Sequence, residues 1–284
     1  MNIIDISSHQ EGINLGTVFA SNPLDGVIVK ATEGTGYQNE HMRKWADWLL
    51  ENGKPLGFYH YLKCQDPHSE AAYFVNAVRP YLGKAILSAD YEAEALRKGT
   101  KYLKSFLDTV LELTGVRPLV YCSQSVIPTQ DFSQIAPNYK LWMAQYPDMN
   151  PCYGFKDNPW HSGSVSPFSG YIMHQYSGTG RLNGYDKKID LDLFYGSYST
   201  WCELARGEEH TLKPADPEIC LLVLNGYYGI GEERVRRLRE EAGYDPQSVQ
   251  NMINTLYGIA ISCKTYMNGY EDYSESIAHI LKVL

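Results

Sequence analysis

The chain has 284 residues, 44% of them apolar and 13% aromatic, and a formal net charge of −8. A chain of this length buries a full core, and one large plus one small domain is the natural expectation. The acidic balance argues against nucleic acid and anionic membrane surfaces as partners, because both require clustered Lys and Arg. The longest apolar run near the C-terminus, Ile219 to Leu224, is too short for membrane insertion.

The first residues lack a basic region and soon become polar, so we expect no signal peptide and synthesis in a cytoplasm. The six cysteines are scattered, with no CxxC pair and no zinc spacing. We therefore expect free thiols, no metal and no cofactor.

Short apolar strands alternate with longer helical stretches over residues 1–200. This alternation predicts an α/β fold with a mostly parallel sheet, and eight strands favour a barrel over an open sheet. The helices are clear in the first half and faint after residue 120. The predicted strands are Ile3–Ser7, Gly26–Ala31, Pro55–Tyr61, Ala85–Glu92, Pro118–Cys122, Leu141–Gln145, Tyr171–Tyr176 and Lys188–Leu193.

The strand Ala85–Glu92 carries two carboxylates, Asp90 and Glu92, at its carboxyl end. Side chains alternate along a strand, so these two share one face. Neighbouring carboxylates raise the pKa of one member, which lets one site keep an acid beside a base. A strand that frays at Asp90 and leaves both acids solvated is the alternative that this segment leaves open.

In β/α barrels the chemistry lies at the carboxyl ends of the strands. Acids and aromatic residues occupy nearly all eight predicted ends, which packing alone does not explain. The sequence therefore predicts a functional cleft at this end of the barrel.

Seven short motifs stand in order along the same region. They are Asp5-Ile-Ser-Ser-His-Gln10, Val29-Lys-Ala-Thr-Glu-Gly34, Gly57-Phe-Tyr-His-Tyr61, Asp90-Tyr-Glu92, Leu141-Trp-Met-Ala-Gln-Tyr146, His174-Gln-Tyr176 and Ile189-Asp-Leu-Asp192. Together they resemble the glycoside hydrolase family 25 lysozymes. The resemblance implies an irregular TIM-like (β/α) barrel and an N-acetylmuramidase that cuts the β-1,4 bond after N-acetylmuramic acid in bacterial peptidoglycan.

The resemblance also implies roles for four acids. Glu92 matches the acid/base, and Asp90 matches the partner that orients the 2-acetamido group in a retaining mechanism. Asp5 and Asp190 match the other two acidic positions of the cleft. We prefer Asp190 to Asp192 because it holds the motif position, and we expect their side chains to face opposite ways. Negative charge from Asp90, Asp5 and Asp190 is expected to raise the pKa of Glu92.

The other candidate residues each have two interpretations. Lys30 and Glu33 either bind substrate or only pair with each other at the rim. Some aromatic side chains form a sugar platform, whereas others belong to the core. Histidines at positions 9, 60 and 174 are expected to be structural. The candidate substrate-binding residues are Lys30, Glu33, Tyr59, Tyr61, Tyr121, Trp142, Tyr146 and Gln175.

Two segments frame the end of the barrel. Residues 147–170, rich in Pro, Gly and Ser, form either a loop that shapes one end of a groove or a plain surface insertion. Residues 205–215 are polar and aperiodic and are predicted to be a linker. The expected domains are thus a catalytic barrel at 1–204 and a helical domain at 216–284.

Three helices are predicted after the linker, over Glu218–Asn225, over Glu232–Ala242 and from Pro246 onward. Val235, Leu238 and Ala242 form one apolar stripe, and Val249, Met252, Ile253 and Leu256 form another. Residues 259–284 match no motif, although Ile277, Ile280, Leu281 and Leu284 are spaced for one helix face.

Residues 223–245 of this domain resemble the cell-wall-binding repeat of some pneumococcal-phage lysozymes. Tyr228 and Arg234 are the candidate wall-binding residues, although Tyr228 stands where that family usually has tryptophan. Ile230 replaces a residue that is often polar there. The alternative is a bundle that packs on the barrel or forms a homodimer contact.

These features predict a phage endolysin that is made in the host cytoplasm and acts on the wall after release. The first rival is a chitin-type glycosidase. The second is a non-catalytic cell-wall-binding protein, against which the intact Asp90 and Glu92 argue.

Overall fold

The computed structural model describes residues 1–207, 215–240 and 242–266. The chain divides into two units, Met1–Glu208 and Glu209–Leu284. None of the helices in the described residues combines the length and apolar character needed to span a bilayer.

Strands of the first unit close into an eight-stranded barrel. The strands are β1 Asn2–Ile6, β2 Gly26–Glu33, β3 Tyr37–Gln38, β4 Leu56–Tyr61, β5 Ala85–Asp90, β6 Leu119–Ser123, β7 Leu141–Ala144, β8 Cys152–Tyr153, β9 Tyr171–Leu182 and β10 Tyr185–Phe194. Their order around the barrel is β1-β10-β9-β7-β6-β5-β4-β2, and β2 pairs with β1 to complete the ring. The short strands β3 and β8 add to β2 and β9. The predicted barrel is confirmed, since each predicted strand overlaps one of the eight.

One of the eight barrel strands breaks the parallel pattern. β10 runs antiparallel to both of its neighbours, β1 and β9. The dipeptide Asn183-Gly184 explains the reversal, because such a pair favours a two-residue hairpin turn and Gly184 has a φ of +83°. The amino-terminal half of β10 therefore lies at the barrel end where the other strands finish.

Helices cover the outside of the barrel in its first half. They are α1 Leu15–Ser21, α2 Met42–Glu51, α3 Pro67–Val78, α4 Gly99–Thr114 and, after β10, α5 Tyr198–Arg206. Asp66 caps α3 by accepting from the backbone of Ser69, and Pro67 opens the helix. Between β6 and β9 a 3₁₀ helix at Gln124–Thr129 and irregular chain replace full helices, as the weak helical pattern predicts.

The amino-terminal end of the barrel is filled and closed. One side chain from most strands forms an apolar interior layer that includes Ile3, Ile28 and Ile86. Trp201 of α5 packs below this layer, and its indole N–H donates to the carbonyl of Leu56 at 3.2 Å. The cleft predicted at the carboxyl-terminal ends of the strands would lie on the opposite side of this layer.

The second unit is helical. Its helices are α6 Pro217–Leu224, α7 Gly231–Glu240 and α8 Pro246–Tyr266. Asp216 accepts from the N–H of Ile219, and Asp245 from the N–H of Ser248, so both predicted helix starts are capped. Their common core consists of Ile219, Cys220, Val223, Leu238, Val249, Ile253 and Leu256.

Three details depart from prediction. Helix α5 continues through Arg206, into the segment predicted as linker, because Ala205 is buried against the barrel core. Val235 is 46% exposed and leaves the stripe shared by Leu238 and Ala242. Helix α8 has 21 residues, and a short third helix was predicted. The proposed linker residues 208–214 and the apolar residues 277–284 lie outside the described residues.

Candidate active site

Four acids meet at the carboxyl-terminal end of the barrel. Asp5 on β1 is 5% exposed and pairs in register with Asp190 of β10. Asp90 ends β5 and is 7% exposed, whereas Glu92, two residues on, is half-buried. Glu92 has extended backbone angles, φ −147° and ψ −175°. The strand does end at Asp90, but the alternative of two solvated acids is wrong for this pair.

Burial raises the pKa of every one of these acids. The pKa of Asp5 rises to about 6, and that of Asp190 to about 8 through burial and the charge of Asp5. Burial and the charge of Glu92 raise the pKa of Asp90 well above its ordinary value. A raised pKa favours the protonated form of a carboxyl group, which is the form an acid catalyst requires.

The expected rise in the pKa of Glu92 is present, but its predicted cause is wrong. Burial is the main cause, the charge of Glu94 adds to it, and Lys30 opposes it. The aspartates were expected to supply the effect through charge. Because they are themselves largely buried and raised in pKa, they do not act as three full negative charges.

Asp192 also belongs to this cluster, although the sequence analysis did not include it among the site residues. It is fully buried, and its Oδ1 accepts from the indole N–H of Trp142 at 2.8 Å. Burial and the charges of Asp5 and Asp190 raise its pKa well above the ordinary value. The expectation that positions 190 and 192 face opposite ways is therefore wrong, since residues two apart on a strand share a face. That parity alone could have found Asp192.

Gln175 holds Asp5 in place. Its Nε2 donates to Asp5 Oδ2 at 2.6 Å, and its Oε1 accepts from the hydroxyl of Tyr121 at 2.8 Å and from that of Tyr146. With 3% exposure, it has little surface for a ligand. Gln175 therefore orients an acid and two aromatic rings, and its predicted role as a direct substrate contact is not supported.

The candidate platform aromatics separate into two groups. Tyr59, Tyr61, Tyr121 and Tyr146 are half-buried at the acid cluster, where burial and then the charges of nearby acids raise their pKa values. Trp142 is only 2% exposed and packs edge-on against Tyr121, with centroids 4.7 Å apart. Trp142 is a core residue, and its assignment to the substrate platform is wrong.

The rim of the cleft carries alternating charges. Lys30 Nζ lies 2.6 Å from Glu33 Oε2 and 4.6 Å from the ring centroid of Tyr61. Lys63 bridges Glu33 and Glu94. The alternative in which Lys30 and Glu33 pair at the rim is thus observed, and Lys30 also stands close enough to affect Glu92.

The segment 147–170 docks on the barrel beside the cleft. Ser162 donates its N–H to Gln145 Oε1 at 2.8 Å, and Gln124 donates to the carbonyl of Ser164 at 3.1 Å. Both glutamines follow the carboxyl ends of strands, β7 and β6 respectively. The segment therefore shapes one side of the cleft rim, and it presents Trp160 with 52% of its surface exposed.

His60 and His174 play structural parts, as predicted, whereas the structural role predicted for the exposed His9 stays a prediction. His60 is buried between Thr32 and Glu70, and His174 bonds to the carbonyl of Gln145 at 2.8 Å. Within the described residues, no group of three or more His, Cys, Asp or Glu side chains is placed to hold a metal ion.

The model of the glycosyl hydrolases family 25 matches residues 4–185, which include most of β1, the strands from β2 to β9, and the acids Asp5, Asp90 and Glu92. The chain belongs to glycosyl hydrolase family 25. It is therefore a glycoside hydrolase, as the seven motifs predict. The CW_7 repeat model matches residues 218–256, in the helical unit, which confirms the predicted repeat.

Similar proteins agree with this membership. The lysozyme of Streptococcus phage Cp-7 is 26% identical over 261 residues, covering 89% of this chain and 69% of its own length. The autolytic lysozyme of Clostridium acetobutylicum is 27% identical over 194 residues, covering 67% of this chain and 55% of its own length. The crystal structure of a Streptomyces coelicolor lysozyme shares the fold, with a TM-score of 0.62 and 22% identity over 72% of this chain and 97% of that one.

The candidate wall-binding residues lie around the start of α7. Arg234 donates to the carbonyl of Gly229 at 3.1 Å and lines a cavity of about 780 Å³ with residues of α7 and the start of α8. Tyr228 is half-buried, and the guanidinium carbon of Arg237 lies 5.6 Å from the centroid of the Tyr228 ring. Ile230 is 77% exposed. An apolar side chain is therefore exposed at a position where the related repeats often have a polar residue.

Proposed function

We propose that this glycoside hydrolase is a muramidase that cuts the β-1,4 bond between N-acetylmuramic acid and N-acetylglucosamine in peptidoglycan. Membership of family 25 and the similarity to two proteins named lysozyme support this substrate. The observation that carries the proposal is the pair at the end of β5. Glu92 is half-buried with a raised pKa, and beside it Asp90 Oδ1 is buried without a hydrogen-bond partner among the described residues.

Glu92 is the general acid in this proposal. Its raised pKa favours the protonated form, which delivers a proton to the glycosidic oxygen as the bond to C1 breaks. The carbonyl oxygen of the substrate's 2-acetamido group attacks C1 and forms a cyclic intermediate. Glu92, now ionised, then removes a proton from the water that opens this intermediate.

Asp90 orients the acetamido group. In its ionised form, Asp90 would accept from the acetamido N–H through the free Oδ1 and stabilise the positive charge that grows on this group, and that charge would in turn oppose the rise in the pKa of Asp90. Attack from within the substrate followed by attack of water gives two inversions, so the β configuration is retained. Asp5, with a pKa of about 6, is largely ionised at neutral pH and would favour the oxocarbenium-like transition state over the neutral substrate from the wall opposite β5, where it pairs in register with Asp190.

Fragment analysis tests the substrate and the bond. Purified peptidoglycan is digested, the products are reduced with borohydride, and mass spectrometry identifies the sugar that was reduced. Muramitol at the new end supports the proposal, and glucosaminitol would point to the chitin-type rival. Release of no reducing ends by the folded protein would instead favour a wall-binding protein without catalysis.

Proton NMR of the first products tests the mechanism. A β-anomer that appears first and then equilibrates supports retention. An initial α-anomer would exclude attack by the acetamido oxygen and would recast one aspartate as a base that activates water.

We further propose that the helical unit binds peptidoglycan and that the protein acts as a phage endolysin. The repeat match and the similarity to a phage lysozyme over 89% of the chain support both points. The wall of the phage's host would then be the substrate, reached after the enzyme is released.

A further inference from the structure

Glu70 is a fully buried carboxylate that the proposed chemistry does not use. It lies in the first turn of α3, and its two oxygens accept four hydrogen bonds. Oε2 accepts from His60 Nε2 at 3.0 Å and from the N–H of Lys63 at 2.9 Å. Oε1 accepts from the N–H of Gln65 at 2.8 Å and from the hydroxyl of Tyr102. A buried charge needs partners of this kind to be tolerated.

The hydrogen bonds keep Glu70 ionised. Burial by itself would raise its pKa, but the bonds from His60 and Tyr102 outweigh burial and lower the pKa. Burial lowers the pKa of His60, so this ring is neutral. Its Nε2–H donates to Glu70, and its Nδ1 accepts from the hydroxyl of Thr32 at 2.7 Å. Glu70 is therefore a fixed anion at neutral pH.

The two backbone donors to Glu70 flank a residue in an unusual conformation. Cys64, between Lys63 and Gln65, has a φ of +63°, a region that residues other than glycine rarely adopt. Such a conformation persists only when its surroundings enforce it. Glu70 supplies that restraint, because it holds the N–H groups on both sides of Cys64.

Residues 63–65 in turn hold the backbone beside Glu92. The thiol of Cys64 donates to the carbonyl of Glu94 at 2.7 Å, and the ammonium of Lys63 pairs with the Glu94 carboxylate. Ala93, between Glu92 and Glu94, also has a positive φ of +46°. Cys64 lies on the loop after β4, and Ala93 begins a 3₁₀ helix after β5. One set of contacts thus holds together two segments that each contain a strained residue.

We propose that Glu70 is a positioning residue for Glu92. Through residues 63–65, it fixes the turn that directs the acid into the cleft and keeps it half-buried. This role rests on the proposed function, because Glu92 must be the acid for its position to matter. Without the restraint, the turn relaxes and water reaches the Glu92 carboxyl.

The test uses Glu70→Gln in the full chain, with kcat and KM measured against pH on soluble peptidoglycan fragments. Glutamine keeps the shape but places an NH₂ group where an oxygen accepts, so at least one donor loses its partner. We expect kcat to fall by about tenfold or more with little change in KM. The high-pH limb of kcat should move to lower pH, because hydration lowers the raised pKa of Glu92.

A matched pair of tyrosines separates positioning from general loosening. Tyr102 and Tyr81 are both buried, and each donates its hydroxyl to a carboxylate, Glu70 and Asp47 respectively. Tyr102→Phe should move the high-pH limb in the same direction as Glu70→Gln. Tyr81→Phe should lose similar thermal stability and leave the pH profile unchanged.

Equal profiles in the two phenylalanine variants would overturn the proposal, as would a folded Glu70→Gln enzyme with wild-type kcat and pH profile. If Glu70→Gln does not fold, the tyrosine pair decides. Glu92→Gln, measured in parallel, separates the two levels of inference. Full turnover in that variant would remove both the assigned acid and its positioning residue. An inactive Glu92→Gln beside wild-type profiles for the Glu70 and Tyr102 variants would remove the positioning role alone.

Discussion

The two units differ in what they bury. The first unit buries ionisable groups, including Asp5, Asp90 and Asp192 inside the barrel and Glu70 on α3. In the helical unit, the side chains described as buried are all apolar or cysteine. Its surface instead exposes apolar groups such as Ile230. Burial raises the pKa of carboxyl groups, which suits them to acid catalysis but lowers the stability of the fold. Exposed apolar and aromatic groups are instead suited to binding. The units should therefore respond differently to mutation, truncation and pH.

The largest expected effect is on the buried acids. Glu92→Gln should lower turnover on soluble fragments by about a thousandfold or more, because an amide cannot donate the proton. Asp90→Asn should be nearly as severe, since the amide keeps the shape and loses the charge. Reducing-end release measures both, with circular dichroism to establish folding. Glu112→Gln, an exposed carboxylate on α4, is the control and should retain full activity.

Removal of the helical unit should affect binding and not chemistry. We expect residues 1–206 to cleave soluble muropeptide chains at the full rate and to lose about ten- to a hundredfold in activity on intact cells. Residues 216–284 alone should sediment with purified walls. A fragment that stays in solution with walls from several Gram-positive species would replace the binding role with a packing or dimerisation role.

The pH dependence of stability should separate the units further. The pKa values of Asp5 and Asp190 are about 6 and about 8 in the folded barrel, whereas that of a solvated aspartate is 3.8. The folded state thus binds more protons than the unfolded state, and stability falls as pH rises from about 4 to about 8. The melting temperature of residues 1–206 should drop by on the order of 10 °C between pH 5 and pH 9. Asp190→Asn should flatten this slope, and an unchanged slope would contradict the assignment.

The smallest expected effect is that of reductant. The cysteines at positions 64, 122, 152, 202 and 220 are free, and Cys263 lies outside the residues whose side chains are described. Thiol titration of denatured protein should find six thiols, and the melting temperature should not change when reductant is added. A sharp drop in melting temperature would reveal a disulfide in one of the units.

Strand positions were predictable because the signals are local. An apolar run such as Ala85–Ala89 is bounded by polar residues and helical patterns, and it defines a strand without knowledge of its neighbours. The acids at strand ends followed from the same pattern. The sequence also contained the Asn183-Gly184 turn signal, from which the antiparallel β10 could have been inferred.

Other features depend on contacts between distant residues. Trp142 is a core residue because Asp192, 50 positions away, accepts its indole N–H. The main cause of the Glu92 pKa shift is burial, which no spacing of charges reveals. Glu70 on α3 anchors the loop residues 63–65 through their backbone N–H groups. Because every residue except proline has such a group, the sequence does not reveal these contacts.

Closure of the barrel between β1 and β10 has a consequence for synthesis on the ribosome. The amino group of Met1 donates to the carbonyl of Phe194 at 2.8 Å, across 193 positions of the chain. Such distant contacts form late, and a domain folds only after it has been completely translated. Asp5 is the first of the acids to be made, yet its donor Gln175 and its partner Asp190 are among the last parts of the barrel. Nascent or truncated chains that end before β10 therefore lack an assembled catalytic centre, and only fully translated barrels are able to degrade a wall.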